Sequence, residues 1–142
     1  MTELNQTEIT AVPEMKLELV PVPVSDIDRA KAFYIEKVGF RLDHDVQPGN
    51  GLRVVQLTPP GSACSIVIGA GLGEISEMTP GSVKALHLVV TDIQKTREIL
   101  ADQGVDVGEI KDMGGILFAR FADPDGNSWL LQEIPETFKT KA

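Results

Sequence analysis

The sequence predicts an α+β fold made of two successive βαβββ modules. Its main support is a recurring segment: Val-Ser-Asp-Ile at 24–27 returns as Val-Thr-Asp-Ile at 90–93, an offset of 66 residues. Two further pairs of glycines are each 65 residues apart, those that end the predicted helices (Gly39, Gly104) and those of two later turns (Gly61, Gly126). Landmarks that recur in one order at nearly one spacing indicate an internal repeat. Because each module has a single helix to cover its sheet, the other sheet face is expected to meet a cavity or a partner.

Length, charge and cysteine usage restrict the class of protein. A chain of 142 residues suits one compact domain, and its net charge of −8 argues against a nucleic-acid or anionic-membrane partner. Cys64 is the single cysteine, which excludes a disulfide framework and indicates a reducing, cytoplasmic location. Residues 1–13 contain no apolar run of the kind found in signal peptides or membrane anchors.

The first module is expected to occupy residues 15–69, after a mobile tail of residues 1–14. Pro21 and Pro23 interrupt its first strand, and because proline cannot donate to a β-ladder, this strand should lie at a sheet edge. Ser25–Asp28 has the Ser-x-x-acid form of a capping box at a helix start. The predicted elements are, in order, a strand (16–24), a helix (27–38) and three strands (40–46, 52–57 and 65–68).

The second module repeats this order over residues 83–135, after a glycine-rich linker of residues 70–82, and a tail of residues 136–142 follows it. Thr91–Gln94 forms a second capping box. Trp129 is expected to pack in the core under a helix. The predicted elements are a strand (83–90), a helix from Ile93 that stops at Gly104, strands at 105–110 and 116–121, and a last strand after the turn Asp123–Asn127.

The ordered motifs of both modules resemble those of the vicinal oxygen chelate superfamily. The resemblance rests on Val24–Ala30 leading to Phe33-Tyr34, on Val38–Phe40, on Val90–Ile93 and on Asp123–Asn127. That superfamily includes glyoxalases, extradiol dioxygenases, fosfomycin-resistance enzymes and bleomycin-resistance proteins. The resemblance spans about residues 16–134. It implies an eight-stranded, cup-shaped mixed sheet with the helices outside, and a homodimer in which the cup is completed within one chain or across two.

The same resemblance implies where metal ligands would lie, on the cup-facing side of the first and last strands of each module. Those positions hold Leu19, Ser65, Ala85 and Leu130. Metal-dependent relatives carry His, Gln or Glu there, because a divalent ion needs nitrogen or oxygen donors at about 2.0–2.2 Å. Glu18 and His87 are the nearby donors, but strand alternation places them on opposite faces in any register that respects the repeat. We therefore expect no metal and no cofactor, and metal-dependent glyoxalase or dioxygenase activity is doubtful.

Strand alternation also predicts which side chains line the cup. The predicted ligand-binding residues are Leu19, Pro21, Ser65, Ala85, His87, Ser128, Leu130 and Gln132. His87 is a weak catalytic candidate as an acid/base, and the alternative is a histidine satisfied by a backbone carbonyl. His44 is predicted to lie with Leu42 and Val46. For the aspartates Asp43 and Asp45, a solvated strand face is preferred over the alternative of a carboxylate site. Met113 and Phe118 are assigned to the core by default, with a position in the pocket lining as the alternative.

Three functions remain open from the sequence. The preferred one is a protein that binds a small, largely apolar organic molecule in the cup without a metal, as drug or metabolite sequestration would require. The second is a lyase, isomerase or dioxygenase-type enzyme, either metal-free with His87 as acid/base or with unrecognised metal ligands. The third is a protein-interaction module whose cup is filled by side chains or by a partner. The expected partners are a small-molecule ligand and a second copy of the chain, with no nucleic acid and no membrane.

Overall fold

The computed structural model describes residues 11–138. The parts of the predicted tails at residues 1–10 and 139–142 lie outside this range. Residues 11–18 are exposed and have no regular secondary structure. Within residues 11–138, no helix has the length and apolar composition required to cross a bilayer.

The same order of elements occurs in both halves of the chain, as the repeat predicts, with one helix and four strands in each half. The first half comprises β1 (Leu19–Pro21), α1 (Ile27–Ala32, continued by a π-helical turn at Phe33–Val38), β2 (Arg41–Gly49), β3 (Leu52–Thr58) and β4 (Ser65–Ala70). The second comprises β5 (Leu86–Val89), α2 (Ile93–Asp102), β6 (Lys111–Met113), β7 (Ile116–Ala122) and β8 (Ser128–Glu133). Short 3₁₀ helices lie at Gly73–Glu77, inside the predicted linker, and at Glu136–Phe138.

The strand orders of the two sheets are equivalent. The first sheet runs β1-β4-β3-β2 and the second β5-β8-β7-β6, so each is a four-stranded mixed sheet. In each, the first and last strands of the module pair in parallel and the remaining pairs are antiparallel. The predicted α+β fold of two βαβββ modules is confirmed, as is the edge position of β1, which contains Pro21.

One hydrophobic core serves both sheets and both helices. It combines inner residues of the first sheet (Val55, Leu57, Ile66, Ile68), inner residues of the second (Ala119, Phe121, Trp129, Leu131) and helix residues (Ala30, Tyr34, Ile93, Leu100). The helix of the first module contacts the second sheet directly, with ring centroids 6.5 Å apart between Phe33 and Phe121 and 5.8 Å apart between Tyr34 and Trp129. The prediction that Trp129 packs under a helix is confirmed.

A buried polar network fixes this contact between the modules. The Tyr34 hydroxyl donates to Asp123 Oδ2 at 2.8 Å and accepts from Trp129 Nε1 at 3.0 Å. The Asn127 amide donates to the same carboxylate oxygen and to the Pro23 carbonyl, both at 2.8 Å. The turn after β7 therefore binds both the helix of the first module and the segment that follows β1.

Both predicted helix caps are wrong by one residue. The side chains of Asp26 and Asp92 cap the helices, accepting from the backbone N–H groups of Arg29 and Lys95 at 3.0 Å each. A carboxylate at an extended residue satisfies an orphan amide and is also favoured by the positive end of the helix dipole. Ser25, the predicted cap, instead donates its hydroxyl to Asp125 Oδ1 at 2.6 Å.

Three strands predicted from the alternation of apolar residues differ from the structure. The first strand, predicted over 16–24, covers only Leu19–Pro21, and β5 begins at Leu86 because Ala85 adopts a left-handed conformation with φ 61°. The strand predicted at 105–110 is wrong, since the edge strand of this sheet is Lys111–Met113. Val105 and Val107 are buried in the core. Their alternation therefore reflects packing rather than pairing in a β-ladder.

Candidate functional site

The first sheet presents three of the predicted ligand-binding residues on the face away from the core. Leu19 pairs with Ser65 and Pro21 with Val67, so these side chains share a face. The neighbouring Ile66 belongs to the opposite, core-facing side. Gln56, paired with Val67 on β3, extends the outer face.

The second sheet presents the other predicted residues, with one correction in register. The repeat aligns Ala85 with the position beside Leu130, whereas the structure pairs His87 with Leu130 and Val89 with Gln132. The first strand of this module is thus displaced by two residues, a shift that keeps every side chain on the same face. Ala85 precedes the strand, and its backbone N–H donates to the buried Ser128 hydroxyl at 2.8 Å.

The outer face of the second sheet forms a largely apolar concave surface, which we call the apolar half-cup and define by His87, Met113, Phe118 and Leu130. Two adjoining cavities of about 520 and 280 Å³ lie over it and share Lys111, Phe118 and Leu130. The His87 and Phe118 rings meet edge to face with centroids 5.8 Å apart. The assignment of Met113 and Phe118 to the core is wrong: Met113 is 63% exposed, and Phe118 pairs with Gln132 on the outer face.

His87 combines both interpretations that the sequence allowed. Its Nδ1 lies 2.7 Å from the Ala85 carbonyl oxygen. A carbonyl oxygen can only accept, so Nδ1 carries the proton and, in the neutral ring, Nε2 is an acceptor. The imidazole is otherwise exposed on the half-cup, where it can orient a ligand that offers a donor.

The outer face of the first sheet carries a polar counterpart, the polar half-cup, which we define by Asp43, His44, Gln56, Thr58 and Ser65. These residues line a cavity of about 460 Å³. Thr58 and Ser65 are buried, with exposures of 3% and 5%, and their hydroxyl oxygens are 2.6 Å apart.

Asp43 is the charged centre of the polar half-cup. A register shift between Leu42 and His44 inserts it into β2 as a bulge, which turns its side chain onto the same face as His44. The carboxylate accepts from the Thr58 hydroxyl, from Arg41 Nε at 3.0 Å and from Gln56 Nε2 at 3.5 Å. The Thr58 hydroxyl, followed by Arg41, holds the pKa of Asp43 below its usual range. The interpretation of Asp43 as part of a solvated face is therefore wrong.

The side chains at the positions where the resemblance implied metal ligands do not fit a metal ion. Leu19, Ala85 and Leu130 have no donor atom, and the hydroxyl of Ser65 is engaged with Thr58. Among residues 11–138, no three histidine, cysteine or acidic side chains are grouped in a way that could hold a metal.

The two half-cups are separate surfaces of one chain. Their cavities share no lining residue. The predicted ligand-binding residues are accordingly divided between the faces of two sheets, Leu19, Pro21 and Ser65 on the first and the remainder on or beside the second. Within one chain, the apolar half-cup and the polar half-cup therefore do not line a common cavity.

The repeat, the strand order and the two concave faces agree with a match at the level of sequence families. Residues 16–131 match the Glyoxalase/Bleomycin resistance protein/Dioxygenase superfamily, and the chain belongs to this superfamily. The predicted resemblance is confirmed.

Individual relatives resemble the chain over most of their length. YetH of Bacillus subtilis (strain 168), an uncharacterised protein, is 34% identical over 118 residues, which cover 80% of this chain and 94% of YetH. TnmS3, an antibiotic-binding protein from Streptomyces sp. CB03234, has 36% identity and a TM-score of 0.77, covering 87% of this chain and 99% of TnmS3. A glyoxalase/bleomycin resistance protein from the same Streptomyces strain has 39% identity and a TM-score of 0.70, with coverage of 82% and 98%.

Proposed function

We propose that this protein binds a small, largely apolar organic molecule without a metal, in the cytoplasm, as a drug- or metabolite-sequestering protein. The apolar half-cup is the observation that carries the proposal. A concave, mostly apolar surface with few polar groups suits an organic ligand, whose orientation the polar groups then fix. Here His87 and Gln132 supply such groups beside Leu130 and Phe118. A cavity beside each sheet weighs against a cup filled by its own side chains.

The relatives support binding rather than a particular reaction. TnmS3 is an antibiotic-binding protein, and the chain covers nearly all of its length at 36% identity. The absence of donor atoms at Leu19, Ala85 and Leu130 removes the ligands that a metal-dependent reaction of this superfamily would require.

We further propose that the site is completed in a homodimer, with the apolar half-cup of one copy facing the polar half-cup of the other. One chain carries the two half-cups on separate sheets. β1 and β5 are edge strands, so each can pair with a strand of a neighbouring chain. Charge supports the same pairing. Beside the apolar half-cup, Lys111 and Arg120 outnumber Glu109, whereas in the polar cavity Glu18 and Asp43 outnumber Arg41.

A ligand screen by thermal shift tests the binding function, using antibiotics and metabolites against the wild-type protein. A ligand present at 100 times its Kd should add about 2.7 kcal/mol to the free energy of unfolding. Leu130→Asp should abolish that gain because it places a charge in the apolar half-cup. Ile99→Asp, at a position on α2 that is 49% exposed, is the matched control and should retain it. Equal loss in both variants, or no ligand found, would contradict the proposal.

Three further measurements test its other parts. Elemental analysis of protein purified without chelator should find no stoichiometric divalent metal, and a stoichiometric ion would refute metal-free binding. Light scattering should give twice the mass of one chain. A monomer that still binds ligand would refute the shared site while leaving the binding function intact. His87→Ala should weaken the ligand without altering the fold, and unchanged affinity would remove His87 from the site.

A further inference from the structure

We infer that the ligand class is cationic and amphipathic: an apolar body lies on the apolar half-cup, and a protonated amine donates to Asp43 of the facing copy. This inference rests on the proposed function and adds to it the sign of the ligand's charge and the residue that selects for it. Three features of the polar half-cup support it.

The first feature is the direction of the hydrogen bonds around Asp43. The Thr58 hydroxyl has one proton, which it donates to the carboxylate, so its contact with Ser65 must be one in which Ser65 donates. Two buried hydroxyls are thereby aligned with their protons toward Asp43. Gln56 Nε2 adds a third donor, 3.5 Å from Asp43 Oδ2 and 3.4 Å from the Ser65 hydroxyl. The arrangement is built to keep a negative charge at this point.

The second feature is the acceptor capacity that remains. A carboxylate offers about four lone-pair positions. Thr58, Gln56 and Arg41 occupy three of them. With 15% of its side chain exposed to the cavity, Asp43 retains room for about one further donor. A ligand ammonium or a similar N–H group is the partner that gains most from an ionised acceptor.

The third feature is the charge of the surroundings. Glu18 and His44 also line the polar cavity, and the side chain of its single arginine, Arg41, is 69% exposed. An anionic group placed in this cavity would face Asp43 directly. An anionic ligand would instead be attracted to Lys111 and Arg120, which lie beside the apolar half-cup and outnumber Glu109 there. A preference for a cationic ligand therefore indicates selection by the polar half-cup, and a preference for an anionic ligand indicates selection beside the apolar half-cup.

Three probes that share one apolar body test the inference: 9-(aminomethyl)anthracene, 9-anthracenemethanol and 9-anthracenecarboxylate. They differ only in a cationic, neutral or anionic substituent, and the ring fluorescence reports binding. The wild-type protein at pH 7 should bind the ammonium at least about tenfold more tightly than the carboxylate, since a hydrogen bond to a charged group is among the stronger ones. Asp43→Asn keeps the shape of the side chain and should remove this preference.

Asp45→Asn is the matched control. Asp45 lies on the same strand but pairs with Arg53 and Lys31 and does not line the cavity. Its loss should leave the order of the three probes unchanged. If Asp43→Asn fails to fold, the order of affinities in the wild-type protein still decides, because it needs no variant.

The outcomes separate the inference from the proposed function. Equal affinity for the three probes would overturn the role of Asp43 while leaving apolar binding established. Tighter binding of the carboxylate would overturn it as well and assign selection to Lys111 and Arg120. A preference that survives Asp43→Asn would locate the cation site elsewhere and refute the inference. Failure of all three probes to bind would refute the inference, whereas the thermal-shift screen with antibiotics and metabolites decides the proposed function separately.

Discussion

Replacing Tyr34 by phenylalanine should destabilise the fold substantially although the ring is retained. Tyr34 is fully buried, and its hydroxyl both donates to Asp123 and accepts from Trp129. The substitution removes a hydrogen bond to a charged group, worth about 1.5–3 kcal/mol, and leaves the Trp129 N–H buried without its acceptor, which costs about 1–3 kcal/mol. Because the two terms share one hydroxyl, we expect a combined loss of about 2–4 kcal/mol.

The measurement is equilibrium unfolding in urea followed by tryptophan fluorescence. The chain has one tryptophan and one tyrosine, and their ring centroids are 5.8 Å apart, so the signal reports this network directly. The midpoint should fall with an unchanged m-value. The Trp129→Phe background has no tryptophan, so unfolding of that variant and of the double variant is followed by far-UV circular dichroism, with the wild-type protein and Tyr34→Phe measured in the same way. In this background the indole N–H is already absent, so the second substitution should cost less by about 1 kcal/mol or more.

Two results would refute this reasoning. A loss below about 0.5 kcal/mol is typical of an unremarkable surface change and would mean that the network contributes no net stability. Strict additivity of the two substitutions would mean that the Tyr34 hydroxyl and the Trp129 N–H are not energetically coupled.

Three further predictions concern pH and packing. Burial raises the pKa of Tyr34, so the stability it contributes is complete below the unfolded value of about 10 and is lost as the pH rises beyond it; absorbance at 295 nm should show no tyrosinate before unfolding. The bond from Arg53 lowers the pKa of Asp45 to about 2, so its contribution is present above about pH 4 and is lost as the pH falls toward 2; the urea midpoint of Asp45→Asn should lack that dependence. Gly69→Ala would place Cβ 2.1 Å from the Arg53 carbonyl oxygen and should cost about 1–3 kcal/mol in urea unfolding, or prevent folding. The control Gly108→Ala would place Cβ 3.6 Å from its nearest atom and should leave the urea midpoint unchanged.

The repeat landmarks predicted the fold well because they report local structure. Gly39 and Gly104 end helices in both modules with φ near +90°, a conformation that glycine adopts readily. Side-chain parity also survived, since Leu19 and Ser65 share a face although the predicted strand was too long. Parity depends only on the two-residue period of a strand, which a two-residue error in register does not change.

The composition of the site was less predictable because it depends on departures from regular strands. The bulge that turns Asp43 toward the cavity and the left-handed backbone at Ala85 each break the alternation on which the predictions relied. Neither position carries glycine, the usual signal of such a backbone. The bond between Tyr34 and Asp123 joins residues 89 positions apart, and no local pattern reports a contact of that separation.

The common core has a consequence for how the chain folds. Because Phe33 and Tyr34 of the first module complete the hydrophobic surface of the second sheet, neither half buries its apolar face alone. The strand order shows that the two modules are duplicates, yet each module depends on the other for its stability. The chain should therefore unfold in one cooperative transition, with its halves gaining and losing structure together.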